Sequence, residues 1–136
     1  MQFIHNLQKL WYSCILKIKR DSHNTFSKNI RPFLANEAKA TNVTVLVEVL
    51  NSLRVNNFEG NFDAIISKLV NLDIFDYLSV EDYQKAMDLC KFYNFSINFS
   101  DCTILVSMEK HRINKIVTND SDFDKIKGIQ RIGGFN

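Results

Sequence analysis

The fold of this chain is decided by the segment KIVTNDSDFDKI, residues 115–126, which joins a short apolar strand to a run of acids. Residues 115–118 have the β-branched composition of a buried strand. Three carboxylates follow almost at once, at Asp120, Asp122 and Asp124. In an open parallel sheet, ligands bind just beyond the carboxyl ends of the strands. If this strand belongs to such a sheet, Asp120 and Asp122 lie where a ligand would bind.

The same acids also have a structural interpretation. Either Asp120 or Ser121 can cap the short helix predicted for residues 121–126, and Asp122 and Asp124 can then interact favourably with the dipole of its first turn. We favour this interpretation for Asp124. For Asp120, the local sequence supports a helix cap and a binding role equally well, so both hypotheses stay open.

Length and composition indicate one globular domain, residues 1–136. The chain is 46% hydrophobic and 24% charged, which is enough for a sizeable core, and it has no linker or repeat. Its net charge of +2 neither requires nor opposes nucleic-acid binding. Cysteines without metal-ligand spacing indicate reduced thiols and a cytoplasmic protein. No stretch approaches the ~20 apolar residues of a spanning helix, so we expect no membrane partner.

Helices and strands alternate in the second half of the chain. An amphipathic helix in residues 61–72 precedes a strand in residues 74–80, and Ser79 is expected to cap the next helix. A strongly apolar helix follows, with Ser100 as its predicted cap and an end near Asn114. This alternation predicts the α/β class, with a mostly parallel sheet covered by helices on both faces.

The first half of the chain is harder to assign. Apolar side chains in residues 4–18 recur at helical spacing, and a second short helix is predicted around Pro32. The segment TNVTVLVEVLNSLR, residues 41–54, has the composition of a strand but is long for one, and Thr41 or Asn42 could cap a helix there. As a helix, the segment would carry one polar stripe, formed by Thr44, Glu48 and Asn51.

Two more acids lie in strongly apolar segments. Asp101 opens the apolar helix, where an acid usually only stabilises the helix dipole, but this helix leaves little surface for solvent. Glu48 lies between Val47 and Val49, and a buried carboxylate without a partner is unfavourable. A solvated stripe explains Glu48 as well as a binding site does, and both hypotheses stay open.

Together, these carboxylates indicate metal chemistry. Oxygen-rich clusters bind hard cations such as Mg²⁺ and Mn²⁺, and these ions orient water and neutralise charge at a scissile phosphate. The chain has no Gly-rich phosphate loop, no CxxC pair and no GxSxG motif. Metal-assisted phosphodiester hydrolysis is therefore the chemistry that the sequence best permits.

Three segments, in this order, resemble the PIN-domain family and especially its VapC-like toxins: VTVLVEVLNSLR (43–54), YLSVEDYQKAMDLCKFYNFSINFSDCTILVSMEK (77–110) and KIVTNDSDFDKIKGIQRI (115–132). The family carries a Glu in a helix after its second strand, an Asp opening an apolar helix, and the closing pattern I-x-T-x-D-x-D-F. Matched position by position, the family's acids fall on Glu48, Asp101, Asp120 and Asp122, and its usual Thr or Ser on Thr118. The resemblance runs from about residue 19 to residue 132.

The resemblance implies a three-layer α/β/α sandwich and an Mg²⁺- or Mn²⁺-dependent endoribonuclease acting on RNA. It assigns Glu48, Asp101 and Asp120 to catalysis and metal binding, with Asp122 as a further metal ligand. For toxin members it also implies an antitoxin partner and a homodimer. Lys110 or Arg112 is expected to position the RNA backbone at the rim of the pocket.

Residues 1–18 depart from the family pattern. The family begins with a strand of the form FIDTS, whose Asp is a metal ligand, whereas this chain begins MQFIHN. If residues 2–4 are the first strand, His5 occupies the position of that Asp and Asn6 the position of the Thr or Ser. Imidazole is a poor ligand for Mg²⁺ and a better one for Mn²⁺, so we expect weakened metal affinity and impaired nuclease activity.

Two other functions were weighed against the ribonuclease. A catalytically inactive PIN-like module that binds RNA or protein would explain His5, although the other acids argue against a complete loss of the site. A receiver-like signalling domain also gathers acids at strand ends. That fold requires an acidic pair after its first strand, which this chain does not offer, so we set it aside.

Overall fold

A computed structural model describes residues 1–5 and 37–133 of the chain. These ranges contain five strands, four α-helices and one 3₁₀ turn. In chain order they are β1 (Gln2–Ile4), β2 (Lys39–Asn42), α1 (Val43–Val55), α2 (Phe62–Val70), β3 (Ile74–Asp76), α3 (Val80–Phe92), α4 (Phe99–Lys110), β4 (Lys115–Val117), the 3₁₀ turn (Ser121–Lys125) and β5 (Gln130–Ile132).

The described strands form one parallel sheet in the order β3–β2–β1–β4–β5. β1 lies at its centre, where Gln2 is in register with Lys39 of β2 and with Lys115 of β4. Because all strands run in the same direction, their carboxyl ends meet at one edge. The predicted α/β class and the three-layer α/β/α sandwich are confirmed, with the four described helices flanking the sheet.

The neighbouring strands β1 and β4 are apolar, but the residue that follows each of them is polar. Phe3 and Ile4 of β1, like Ile116 and Val117 of β4, are completely buried, as expected for a parallel sheet covered on both faces. Each strand is followed directly by a buried polar residue, His5 after β1 and Thr118 after β4. Polar side chains therefore begin at the carboxyl edge, and they begin there on neighbouring strands.

The ambiguous segment at residues 41–54 is mostly helix. β2 ends at Asn42, and α1 begins at the next residue. Asn42 Oδ1 accepts a hydrogen bond from the Val45 N–H at 3.1 Å, which makes Asn42 the N-cap. Its Nδ2 also donates to the Thr103 carbonyl and to Ser107 Oγ, so the start of α1 is tied to the middle of α4.

α4 is almost wholly buried, with every residue from Asp101 to Met108 inside the protein. It crosses the carboxyl edge of the sheet, because its middle contacts Asn42 at the end of β2 and its last residue, Lys110, contacts Asp76 at the end of β3. Its first turn lies beside the end of β1, since Asp101 Oδ1 is 3.8 Å from Nε2 of His5, the residue that follows β1. The helix thereby delivers Asp101 to the centre of the sheet edge.

The prediction that Ser100 caps this helix is wrong. The N-cap is Asn98, whose Oδ1 accepts a hydrogen bond from the Asp101 N–H at 2.8 Å. Ser100 lies within the first turn and donates its hydroxyl to Asn98 Oδ1 instead. The helix also ends earlier than predicted, at Lys110 rather than near Asn114.

Several other predictions can be compared with the described residues. Ser79 caps α3 as expected, in a capping box with Asp82, and Cys90 is a buried free thiol. Ile4 lies in β1 rather than in a helix, and the predictions for residues 6–36 lie outside the described ranges. No helix within the described ranges is long and apolar enough to cross a membrane. The extent of the domain, residues 1–136, stays a prediction.

The cap assignment of α4 predicts unequal effects for two neighbouring substitutions. Asn98→Ala removes the acceptor of the Asp101 N–H, so it is expected to lower the free energy of unfolding by about 1 kcal/mol. Ser100→Ala leaves that hydrogen bond in place and is expected to cost less than about 0.5 kcal/mol. Urea denaturation of the two variants measures the difference, and a larger effect at Ser100 would restore Ser100 as the cap.

Candidate metal centre

Three carboxylates from two distant parts of the chain meet at the carboxyl edge of the sheet. Asp101, Asp120 and Asp122 each place an oxygen within 4.8 Å of the others. Asp101 comes from the first turn of α4 and is buried, whereas the other two follow β4 and are half-buried. The structure thus brings together three of the four acids that the sequence singled out.

The loop after β4 holds Asp120 and Asp122 through local hydrogen bonds. The Asp120 N–H donates to Thr118 Oγ1 at 3.1 Å, and Asp120 Oδ1 accepts from the Asp122 N–H at 2.9 Å. Asp120 is therefore the cap of the 3₁₀ turn and also a member of the carboxylate group, so its two interpretations are compatible. Asp124 lies in the first turn of the 3₁₀ helix, as the structural interpretation expects, and both its oxygens also accept hydrogen bonds from Arg131 at 2.9 Å.

Asp101 is a buried carboxylate whose charged form is unfavourable in the metal-free protein. Its side chain is 2% exposed, and Oδ2 has no hydrogen-bond partner among the described residues. Burial raises the pKa of Asp101 to about 7; the nearby His5 opposes this shift, whereas the carboxylates of Asp120 and Glu48 add to it. A buried carboxylate oxygen without a partner is unfavourable, and a bound cation would relieve it.

His5 connects the fourth predicted acid to this group. The His5 ring is 3% exposed, and its Nε2 lies 3.2 Å from Glu48 Oε2 and 3.8 Å from Asp101 Oδ1. Glu48 projects from the middle of α1 and is 37% exposed. Its contact with a buried histidine shows that Glu48 faces the site, in addition to its access to solvent.

Contacts on both ring nitrogens orient the His5 side chain. Thr118 Oγ1 accepts from the Asp120 N–H and lies 3.0 Å from His5 Nδ1. On the other side of the ring, Nε2 lies within hydrogen-bond distance of Glu48 Oε2, so both ring nitrogens have a polar partner. The ring of Phe123 packs edge-on against the imidazole at a centroid distance of 5.4 Å and fixes its plane.

The donor set fits a hard divalent cation. Asp101, Asp120 and Asp122 offer oxygen ligands alone, which is the preference of Mg²⁺ and Mn²⁺. Asp101, one of the three, has a buried Oδ2 without a hydrogen-bond partner, and a bound cation would stabilise its charge. The three acids therefore pass the chemical test for a metal site, and the assignment of individual ligands stays a prediction.

Lys110 does not lie at the rim of the carboxylates. Its Nζ contacts Asp76 Oδ1 at 2.8 Å and Asp82 Oδ2 at 2.6 Å. Lys110 ends α4 whereas Asp101 begins it, which separates them by on the order of 14 Å along the helix axis. The expectation that Lys110 positions a substrate beside Asp101 is wrong because two acids that the sequence analysis did not single out bind it elsewhere.

Comparison with protein families identifies the fold that carries this site. The family model described as PIN domain matches residues 13–129. The chain belongs to the PIN-domain family. The resemblance inferred from the sequence is thereby confirmed, and the matched range begins after β1 and His5. A comparison with curated proteins found no match.

Three solved structures share the fold. The Mycobacterium tuberculosis toxin VapC20, titled a Sarcin-Ricin loop cleaving toxin, is 15% identical with a TM-score of 0.61, covering 92% of this chain and 94% of its own. VapBC2 from Rickettsia felis, bound to a DNA fragment from its promoter, is 17% identical with a TM-score of 0.61 and 98% coverage of both chains. A toxin–antitoxin complex from Klebsiella pneumoniae is 16% identical with a TM-score of 0.61 and 96% coverage of both.

Proposed function

We propose that this PIN-domain protein is an endoribonuclease that hydrolyses RNA phosphodiester bonds with the help of Mg²⁺ or Mn²⁺. The observation that supports this most is the meeting of Asp101, Asp120 and Asp122 within 4.8 Å around an unpartnered, buried carboxylate oxygen. Perturbed carboxylates at the carboxyl edge of a parallel sheet are typical of a functional site.

In this proposal each residue has a defined task. Asp101, Asp120 and Glu48 hold the metal directly or through water, and Asp122 assists them. When bound, the ion lowers the pKa of a water molecule and neutralises charge on the scissile phosphate. Thr118 Oγ1 holds Asp120 in place by accepting its backbone N–H, and α4 holds Asp101 in place because its residues from Asp101 to Met108 are buried.

We propose further that the protein is a cytoplasmic toxin of a toxin–antitoxin pair, with an antitoxin as its protein partner and a homodimer as its assembly. The support comes from structures of the same fold, of which one is titled a toxin that cleaves the Sarcin-Ricin loop and another a toxin–antitoxin complex.

A second candidate is a PIN-like module that binds RNA or protein without cleaving it. The contact between His5 Nε2 and Glu48 Oε2 favours it, because that contact engages a carboxylate that would otherwise be available to a metal. The two candidates differ in one measurable property, the metal-dependent cleavage of RNA.

Removal of divalent metal is expected to abolish cleavage. Protein treated with EDTA should leave end-labelled RNA intact, and added Mn²⁺ should restore cleavage at a higher rate than Mg²⁺, because the site contains an imidazole. Gel analysis of the RNA measures both effects, and a filter-binding assay with the same RNA measures binding. RNA that is bound but never cleaved under any metal would contradict the ribonuclease and support the binding module.

A further inference from the structure

Two buried cysteines face each other between α3 and α4, outside the group of carboxylates. Cys90 lies in the last turn of α3 and Cys102 in the first turn of α4, and both are free thiols. Their Sγ atoms are 3.2 Å apart, and each lies within 4.0 Å of the carbonyl oxygen of Ile97. The distance between the two sulfurs falls within the roughly 3–3.5 Å at which well-oriented groups react.

The turn between the two helices holds the cysteines in this arrangement. The Phe95 N–H donates to the Cys90 carbonyl at 2.8 Å, which is a common way for a helix to end, and Phe95 has a left-handed φ of 58°. Because that conformation is unfavourable for a bulky residue, the packing of the surrounding structure must maintain it. Cys102 is completely buried in α4, so its side chain has no room to turn away from Cys90.

A cavity connects one of the two thiols to the surface. Cys90 lines a cavity of about 300 Å³, whose other walls include Met87, Phe95 and Phe99. These three side chains are between 43% and 74% exposed, so the cavity opens to solvent. Since a water molecule takes up about 30 Å³ in the liquid, a small oxidant fits into this space. Cys102 does not line the cavity, and Cys90 is therefore the thiol that an oxidant reaches first.

We propose that Cys90 and Cys102 form an oxidation site, at which a peroxide converts the two thiols into a reversible disulfide that joins α3 to α4. The peroxide first transfers one oxygen atom to Cys90 Sγ, which gives a sulfenic acid and, from hydrogen peroxide, one water molecule. Cys102 Sγ then attacks Cys90 Sγ. The S–S bond forms, the S–O bond breaks, and the departing hydroxide leaves as water with the proton of Cys102. The two thiols lose two electrons and the peroxide gains them, and neither a metal nor ribonuclease activity enters this chemistry.

The second step needs only a small movement of the two sulfurs. A disulfide bond is about 2.05 Å long, so the Sγ atoms must approach each other by about 1.2 Å. Burial, and then the adjacent Cys90, raise the pKa of Cys102 to about 12, so Cys102 stays a thiol and does not react with the peroxide itself. The fixed proximity of the two sulfurs, rather than a reactive thiolate at Cys102, therefore favours closure of the bond.

Peptide mapping of the full chain after treatment with hydrogen peroxide tests the proposal, because trypsin cleaves after Lys85, Lys91 and Lys110 and so separates the two cysteines. We expect one crosslinked species made of residues 86–91 and 92–110, lighter by two hydrogen atoms than the two free peptides together. Dithiothreitol should release both peptides. The oxidised protein is expected to unfold about 5 °C or more above the same sample after dithiothreitol, because the disulfide restricts the unfolded chain.

Single substitutions identify the thiols that take part. Cys90→Ser is expected to abolish the crosslink, whereas Cys14→Ser, the matched control, removes the third thiol of the chain and should leave the crosslink in place. A crosslink to the Cys14 peptide, residues 10–17, overturns the proposal, and so does Cys90 oxidised to a sulfinic acid while Cys102 stays open to alkylation. Unfolding of the oxidised protein at the same or a lower temperature also overturns it, because the helices would then not hold the sulfurs in position to bond. The mapping of the wild type needs no variant, so it decides the matter even if Cys90→Ser does not fold.

Discussion

Asp101→Asn is expected to reduce metal-dependent RNA cleavage by about 100-fold or more, with little change in stability. Asp101 is the most buried of the three carboxylates whose oxygens lie within 4.8 Å of one another, and it also lies beside His5. An amide in its place keeps the shape of the side chain but removes the negative charge and one oxygen ligand. The metal would then lose the ligand whose position the fold determines most firmly.

The fold is expected to tolerate this substitution because Asp101 is already unfavourable as an anion. Burial raises the pKa of Asp101 to about 7, so that near neutral pH the folded protein accommodates the protonated form readily. Asparagine resembles that neutral form. Thermal unfolding of the metal-free variant is therefore expected to occur at or above the temperature of the metal-free wild type.

Asp124→Asn is the matched control for this experiment. It makes the same chemical change four residues after Asp120, but on a carboxylate that is 55% exposed and bound to Arg131. Its cleavage rate is expected to stay within about twofold of the wild type. Equal rates for Asp101→Asn and wild type, with both proteins folded, would remove Asp101 from the reaction and leave the cleavage to a contaminant or another site.

The placement of the carboxylates that follow β4 could be predicted because the strand and these acids are close together in sequence. Residues 115–126 contain the strand, its end and two of the carboxylates, and the rule for parallel sheets then says where they lie. Asp101 could be predicted for a related reason. The apolar run that follows it predicts a buried helix, and a buried helix brings its first acid into the protein.

Other features depend on packing between distant segments and could not be predicted from local sequence. Glu48 and His5 lie 43 positions apart, so the polar stripe on α1 could not reveal whether Glu48 faces the site or only solvent. β1 has three residues, too few for a periodic pattern, and its central position follows only from pairing with β2 and β4. The expectation that His5 occupies a ligand position came from the resemblance to PIN domains and not from local sequence, and it stays a prediction.

Lys110→Met is expected to give the largest loss of stability, because Lys110 neutralises two buried acids at the far end of α4. Asp76 is 7% exposed and Asp82 is 6% exposed, and both lie within 2.8 Å of Lys110 Nζ. Methionine keeps most of the aliphatic side chain but leaves these carboxylates without their cation. Because Lys110 is itself 38% exposed, solvent replaces part of its effect, and we expect the free energy of unfolding to fall by about 2 kcal/mol at neutral pH.

The effect should depend on pH in a defined direction. Burial alone would raise the pKa of Asp76, but hydrogen bonds from Lys110, Leu78 and Ser107 and the charge of Lys110 outweigh it and lower that pKa. The pKa of Asp82 is lowered first by the hydrogen bond from Lys110 and then by the backbone hydrogen bond from Ser79. Since both folded-state values lie below the unfolded ones, the stabilisation is complete above the ordinary carboxyl pKa of about 4 and is lost as the pH falls below it. The pKa of Lys110 is raised, so the lysine stays charged throughout this range. The difference between wild type and Lys110→Met should therefore shrink as the pH is lowered from about 5 to about 3.

Urea denaturation of the wild type and Lys110→Met across this pH range measures the difference in their free energies of unfolding. Lys85→Met, a change at an exposed lysine of α3, is the control for loss of one positive charge. Because His111 Nε2 lies 3.6 Å from Asp76 Oδ2, a parallel series with His111→Asn shows how much of the stability difference depends on that histidine. A difference that stays constant down to pH 3 would show that Lys110 stabilises the protein by packing alone. A difference that disappears would show that the charge of Lys110 holds the far end of α4 to the end of β3 and to α3.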